Sequence, residues 1–262
     1  MKTHEFTYRL FIFWYVIGII LLSFNLLPPW LEWANAVFLI LAGILGGIYF
    51  IVQYGSPLGW TAIGVIFVFT IVAESLGVEY GLFFGDYYYE PDFGVHLLNV
   101  PITIGFAWLM VMATTHVIAK GIVQSLPYKW LVLLVYPLLG AIAAVIMDLA
   151  IDPVAYQVKQ YWIWMGDGGY YGVPFSNFVG WFIISFILHV FLYLLFHLKH
   201  VWNKKSIKPW EFRMVLLYVQ IIIMFVVIAL TANLCMAAFL PLILMAKLLV
   251  IYFLMRGARK ND

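Results

Sequence analysis

The sequence predicts an all-α, polytopic membrane helix bundle of about eight transmembrane helices, seven if the last two form one broken element, with both termini cytoplasmic. Three observations predict it. Hydrophobic residues fill 66% of the 262 positions and charged residues only 10%, with a mean hydropathy of +1.03. A soluble domain carries roughly 25% charged residues, so this chain cannot cover a water-facing surface. Apolar runs recur at the length of about 20 residues that crosses a bilayer core, and the basic residues gather on one side of those runs. The single cysteine, Cys235, excludes an intramolecular disulfide. Nothing resembles a nucleic-acid footprint.

The first run, 9–27, follows Lys2 and Arg9 as a signal peptide would. It is long for such a segment, and Pro28-Pro29-Trp30 stands where small residues would mark cleavage, so it reads as a retained helix. Further runs follow at 34–52, 57–78, 98–119, 129–151 and 176–198. The last two, 211–231 and 235–254, meet at Thr231-Ala232-Asn233, which suits a tight hairpin or one broken helix.

With the N-terminus inside, twelve basic residues from Lys2 to Lys260 lie on the inner side. Lys159 alone lies outside, and Lys247 lies within the last span. Glu32, Glu79, Asp86, Glu90, Asp92, Asp152 and Asp167 fall outside. This bias supports an even number of helices. The expected organisation is one integral membrane domain over 1–262, placed in the cell membrane. Two loops exceed about a dozen residues, 79–97 and 152–175, and both are on the outer side. Their glycines and aromatics come in a defined order that disorder does not need.

Glu74 and Asp148 lie inside spans, each near the outer end. A mid-membrane acid costs about 2.5–3.5 kcal/mol on insertion scales, and such acids default to functional hypotheses. Asp148 and Asp152 are four apart and share a helix face, before Pro153 is expected to end the helix. Chain direction puts Glu74, Asp148 and Asp152 at similar depth, beneath the two long loops. The structural alternative is that these acids snorkel to the interface or bind neighbouring helices. The aromatics of the loops have their own bland explanation, an interfacial belt. Beside acids, though, aromatic faces suit a cation formed on a long apolar ligand.

Four segments carry a resemblance: E-S-L-G-V-x-x-G-x-F-F-G-x-Y-x-Y from Glu74, N-V-P-I-x-I-x-x-x-W from Asn99 to Trp108, D-x-x-x-D-P from Asp148, and W-x-W…G-x-Y-Y-G-V-P-x-x-N-F-x-G-W from Trp162 to Trp181. Together, over about 57–198, they resemble the carotenoid biosynthesis membrane-protein family, which includes carotenoid 1,2-hydratases acting on γ-carotene and on bisanhydrobacterioruberin. The resemblance implies acid-catalysed addition of water to the terminal C1–C2 double bond of an acyclic carotenoid end. A proton goes to carbon 2, a tertiary cation forms at carbon 1, and water captures it.

Such a reaction needs an acid held in its neutral form, which burial favours for carboxyls in general. Glu74 or Asp148 would be the donor, with Asp152, closer to water, orienting the nucleophile. Tyr87, Tyr89, Trp162, Trp164 and Tyr171 would supply π faces, and Asp86, Asn177 and Trp181 complete the substrate-contacting set. No redox cofactor, nucleotide or metal is required. The implied partners are a carotenoid or other isoprenoid lipid, membrane lipids, and other enzymes of the same pathway.

The same residues would serve an end-group cyclase, in which an internal double bond captures the cation. From another class, they would serve an isoprenoid or lipid transporter or a pigment-binding protein, although the inverted halves usual in transporters are not evident. His96 beside Glu79 or Asp86 lacks compact metal-ligand spacing. His116, His189 and His197 read as packing or interfacial residues. Lys247 suggests a retinal lysine, yet its place near the inner end lets it snorkel. The basic run from Lys199 to Arg213 reads as a topology determinant touching anionic headgroups.

Overall fold

A computed structural model describes residues 2–24, 26–124 and 126–258. Arg259 and Lys260, counted above among the inner charges, lie outside the described residues, as do the side chains of Lys2 and Asp92. The chain forms a polytopic bundle of helices, of which eight among the described residues are long and apolar enough to cross a membrane. In order they are α1 (Lys2–Ser23), α2 (Trp33–Tyr54), α3 (Ser56–Tyr80), α4 (Ile102–Val123), α5 (Lys129–Gln157), α6 (Phe175–Leu198), α7 (Lys208–Thr231) and α8 (Cys235–Ala258). The last two are separate helices, so the seven-span alternative falls away. Among the described residues four short strands decorate the connections: β1 (Tyr87–Tyr89), β2 (His96–Leu97), β3 (Val100–Pro101) and β4 (Trp162–Trp164).

α4 is the axis of the bundle. Every residue from Trp108 to Val123 is buried, and the helix packs against α2, α3, α5, α7 and α8. Its closest neighbour is α2, where Gly43 and Gly46 face α4. A Cβ on Gly43 would strike the Phe106 backbone, and one on Gly46 would come within 2.7 Å of the Leu109 carbonyl. Small residues at such seams let helix backbones approach where lipid gives no hydrophobic drive for association. α1, by contrast, lies at the edge against α2 and α7, and Phe11 is its one fully buried side chain among the described residues.

Polar side chains collect at the two ends of this apolar body. At one end Arg213 bonds Glu5 at 2.6 Å and Arg256 bonds Glu211 at 3.0 Å. Just inside that end, His116 lies between the Tyr54 and Tyr136 hydroxyls, at 2.7 and 2.5 Å, and Lys120 donates to Tyr54 at 2.9 Å. His116 and His189 are therefore bonded, buried packing residues, His189 through the Ser185 carbonyl and the Thr115 hydroxyl. Lys247 points out of the bundle and is exposed, which removes the retinal reading, since a retinal lysine must face the interior.

At the other end the two long loops meet. β1 pairs antiparallel with β4, in the register Tyr87↔Trp164, Tyr88↔Ile163 and Tyr89↔Trp162. Lys159 binds Glu32 at 3.0 Å and ties the second loop to the start of α2.

One expectation is corrected here. Pro153 does not end α5, which continues to Gln157. A proline inside a helix leaves the carbonyl four residues earlier without its N–H donor. That carbonyl belongs to Leu149, and the Tyr170 hydroxyl donates to it at 3.0 Å. The second loop thus replaces the bond that the proline removes, and the helix runs on.

Candidate active site

Three acids sit beneath the ribbon, and each is placed by a helix. Glu74 is on the last turns of α3, which stops at Gly81 in the left-handed conformation (φ 64°). The chain then turns back, and the alternation of a strand does the rest. Successive side chains of β1 point to opposite faces, so Tyr87 and Tyr89 turn inward and Tyr88 outward. The Tyr87 hydroxyl donates to Glu74 Oε2 at 2.5 Å and the Tyr89 hydroxyl to the same oxygen at 2.8 Å. From α4, Trp108 Nε1 donates to Oε1 at 2.9 Å. Gly77, one turn after Glu74, makes room: a Cβ there would lie 3.0 Å from the Tyr87 hydroxyl. Burial, and next the neighbouring Glu74 carboxyl, holds both phenols well above the usual tyrosine range, so both remain donors.

Asp148 and Asp152 project from one face of α5 toward α6. The Asn177 amide nitrogen sits between them and donates to Asp148 Oδ2 at 2.8 Å and to Asp152 Oδ2 at 2.5 Å. Trp162 Nε1 donates to Asp152 Oδ1 at 2.6 Å. Asp148 Oδ1 is buried with no hydrogen-bond partner. Asp152 is as buried as Asp148, at 1% and 0% exposure, so the expectation that Asp152 lies nearer water is not met. The reason is the ribbon, which roofs the end of α5. Among the described residues, no lysine or arginine makes a salt bridge to any of these three carboxyls.

A cavity with about 680 Å³ of empty space, part of it open, lies among these groups. Glu74 and Asp152 both line it, with Asn177, Tyr87, Tyr89, Trp162, Trp164 and Trp181, whereas Asp148 stands behind Asn177. Aromatic rings pack in pairs along its walls: Tyr87 meets Trp164 at 4.9 Å between ring centres, and Trp108 stacks on Trp181 at 4.5 Å.

Two residues expected in the substrate-contacting set lie elsewhere. Asp86 is exposed and contributes its backbone carbonyl to the Met165 N–H. The Tyr171 hydroxyl accepts from the Met236 N–H at the start of α8. Neither lines the cavity. Asp86 faces out, next to the inward Tyr87, and Tyr171 packs toward α8, neither of which motif spacing reveals.

Trp108, Phe84, Phe93 and Tyr161 line the cavity or hold its acids and were not foreseen. Trp108 was within reach, since it stands as deep along α4 as Glu74 does along α3. His96 is bonded to the Gly94 carbonyl, and among the described residues no group of three His, Cys, Asp or Glu side chains is arranged to hold a metal.

The sequence pattern of carotenoid biosynthesis proteins matches residues 34–248, about four-fifths of the chain. The chain belongs to the carotenoid biosynthesis protein family. No curated protein matches it, and no solved structure does. The family match is wider than the 57–198 segment that carries the sequence resemblance, and takes in α2, α7 and most of α8. All three acids, the ribbon, Trp108 and Asn177 lie within it. Membership in the family gives the chain a role in carotenoid biosynthesis as an integral, multi-pass membrane protein.

Proposed function

We propose that the protein hydrates the terminal C1–C2 double bond of an acyclic carotenoid end, with the reacting end in the cavity between α3 and α5. The observation that carries this reading is the presence of two differently bonded carboxyl groups on one aromatic cavity. Glu74 receives three hydrogen bonds from groups that donate to it, an arrangement suited to an acceptor-only carboxylate. Asp152 shares the Asn177 amide with Asp148. Two carboxyl groups sharing one amide in a dry interior suit a pair that carries one proton in place of a second charge.

In this scheme Asp152 delivers its proton to carbon 2, and the π electrons of the double bond form the new C–H bond. The tertiary cation left at carbon 1 rests against the ring faces of Tyr87, Trp162 and Trp164 and is balanced by Glu74. Water adds to carbon 1, and Glu74 takes the proton that the oxonium releases. Return of that proton to the aspartate pair resets the site, so the net change is one water added. Asp152 therefore takes the donor's place, because it lines the cavity and Asp148 does not. The bias of basic residues supports an outer-leaflet position for the cavity.

Expression in a lycopene-accumulating bacterium tests the reading. Pigments heavier by one water per modified end are the expected product. An isomer of unchanged mass would mean cyclisation, and unchanged pigment beside correctly inserted protein would refute both.

A further inference from the structure

A second cavity abuts the first. It lies between α1, α2 and α7 and encloses about 900 Å³ of empty space, part of it open. Leu39, Tyr161 and Phe225 line both cavities and so form a shared wall between them. Its walls are otherwise apolar, save for Asn35 and Lys159. Both of these bind Glu32, at 2.7 and 3.0 Å, which draws the polar atoms to the ribbon end and leaves a hydrocarbon trough beneath. Phe13 and Ile17 of its α1 wall are 60% and 42% exposed, so the trough opens sideways from the bundle.

The geometry points to this groove as the seat of the substrate's polyene tail and its lateral way in from the bilayer. The inference rests on the function proposed above. A forty-carbon polyene is about as long as the bilayer core is thick, roughly 30 Å. It cannot fit within a chamber at one end of the bundle, so most of its length must leave that chamber through a wall. The shared wall is the one that opens onto an apolar trough. Lipid tails are as apolar as the groove, so the groove contributes alignment more than affinity. It holds the chain so that its terminal double bond meets Asp152.

Gly18 of α1 supplies the test, because it lines the groove and not the catalytic cavity. A Cβ there would meet Met224 Cε at 3.5 Å, an ordinary contact, so Gly18→Ala should be silent while Gly18→Trp fills the trough. The protein is placed in lipid nanodiscs with lycopene, and the circular dichroism induced in the polyene band is read. Wild type and Gly18→Ala should show the signal, and Gly18→Trp should lose it. Lycopene turnover by Gly18→Trp should fall about tenfold or more, as for a misplaced reactant. A ten-carbon analogue with the same terminal double bond should be converted as by wild type. Met224→Trp, from the opposite wall, should behave alike.

Retained dichroism in Gly18→Trp, or equal loss with both chain lengths in both tryptophan variants, would overturn the inference and leave the groove to lipid acyl chains. Gly18-dependent binding in a protein that converts nothing would uphold the groove and remove the reaction.

Discussion

Asn177 gives both hydrogens of its amide to the aspartates of α5, and this separates the acids into a bridged pair and the singly cradled Glu74. The three therefore respond differently to neutral, near-isosteric replacement. Asp152→Asn removes the proposed donor and should lower product by about 10²–10⁴-fold, the usual range for general acid–base groups. Glu74→Gln should fall in the same range, since an amide can neither balance the cation nor take the proton from water. Asp148→Asn should cost less, because it leaves Asp152 and its Trp162 bond in place. Quantifying pigment per inserted protein checks all three. Wild-type product from both Asp152→Asn and Glu74→Gln would strip the carboxyls of their roles and return them to helix packing.

At the scale of elements, the pairing of Tyr170 with Leu149 explains how a proline-bearing helix outlasts its proline. Tyr170→Phe should destabilise the protein by about 1 kcal/mol, the typical net value of one hydrogen bond. Pro153→Ala restores an N–H for the same carbonyl, so Tyr170→Phe should cost less in that background. A thermal-melt double-mutant cycle reads the coupling, and additive effects would show that Tyr170 serves something else.

The same element marks where sequence reading stops. The helices were legible because the bilayer dictates their length, and most predicted edges fall within a few residues of the observed ones. α1 differs most, starting at Lys2 instead of position 9, because its polar first turns can be helical outside the hydrocarbon. Glu74, Asp148 and Asp152 were legible as acids where acids are costly. The ribbon was not, although Tyr87/Tyr89 and Trp162/Trp164 both repeat with a period of two. Nothing local to either triplet says that it pairs with the other, and the cavity walls depend on that pairing.

For the whole molecule, the separation of polar groups into two ends makes orientation a sharp question. A reporter inserted in the 199–207 connection should read cytoplasmic, and one at Gly166, exposed beyond β4, should read external. The opposite pattern would move the cavity to the inner leaflet. The hydrogen bonds of the site also carry a consequence for how the chain is made. Glu74 meets Tyr87 and Tyr89 only 13 and 15 residues later, and Trp108 after 34. Its cradle is thus complete within two helices of the growing chain. Asp148 and Asp152 wait 29 and 25 residues for Asn177, which arrives on the next helix. An acid without a partner is poorly received by hydrocarbon, and Asp148 has no side-chain donor among the described residues until Asn177. The amide that bridges the aspartates in the finished protein thus reaches them only once α6 has been made.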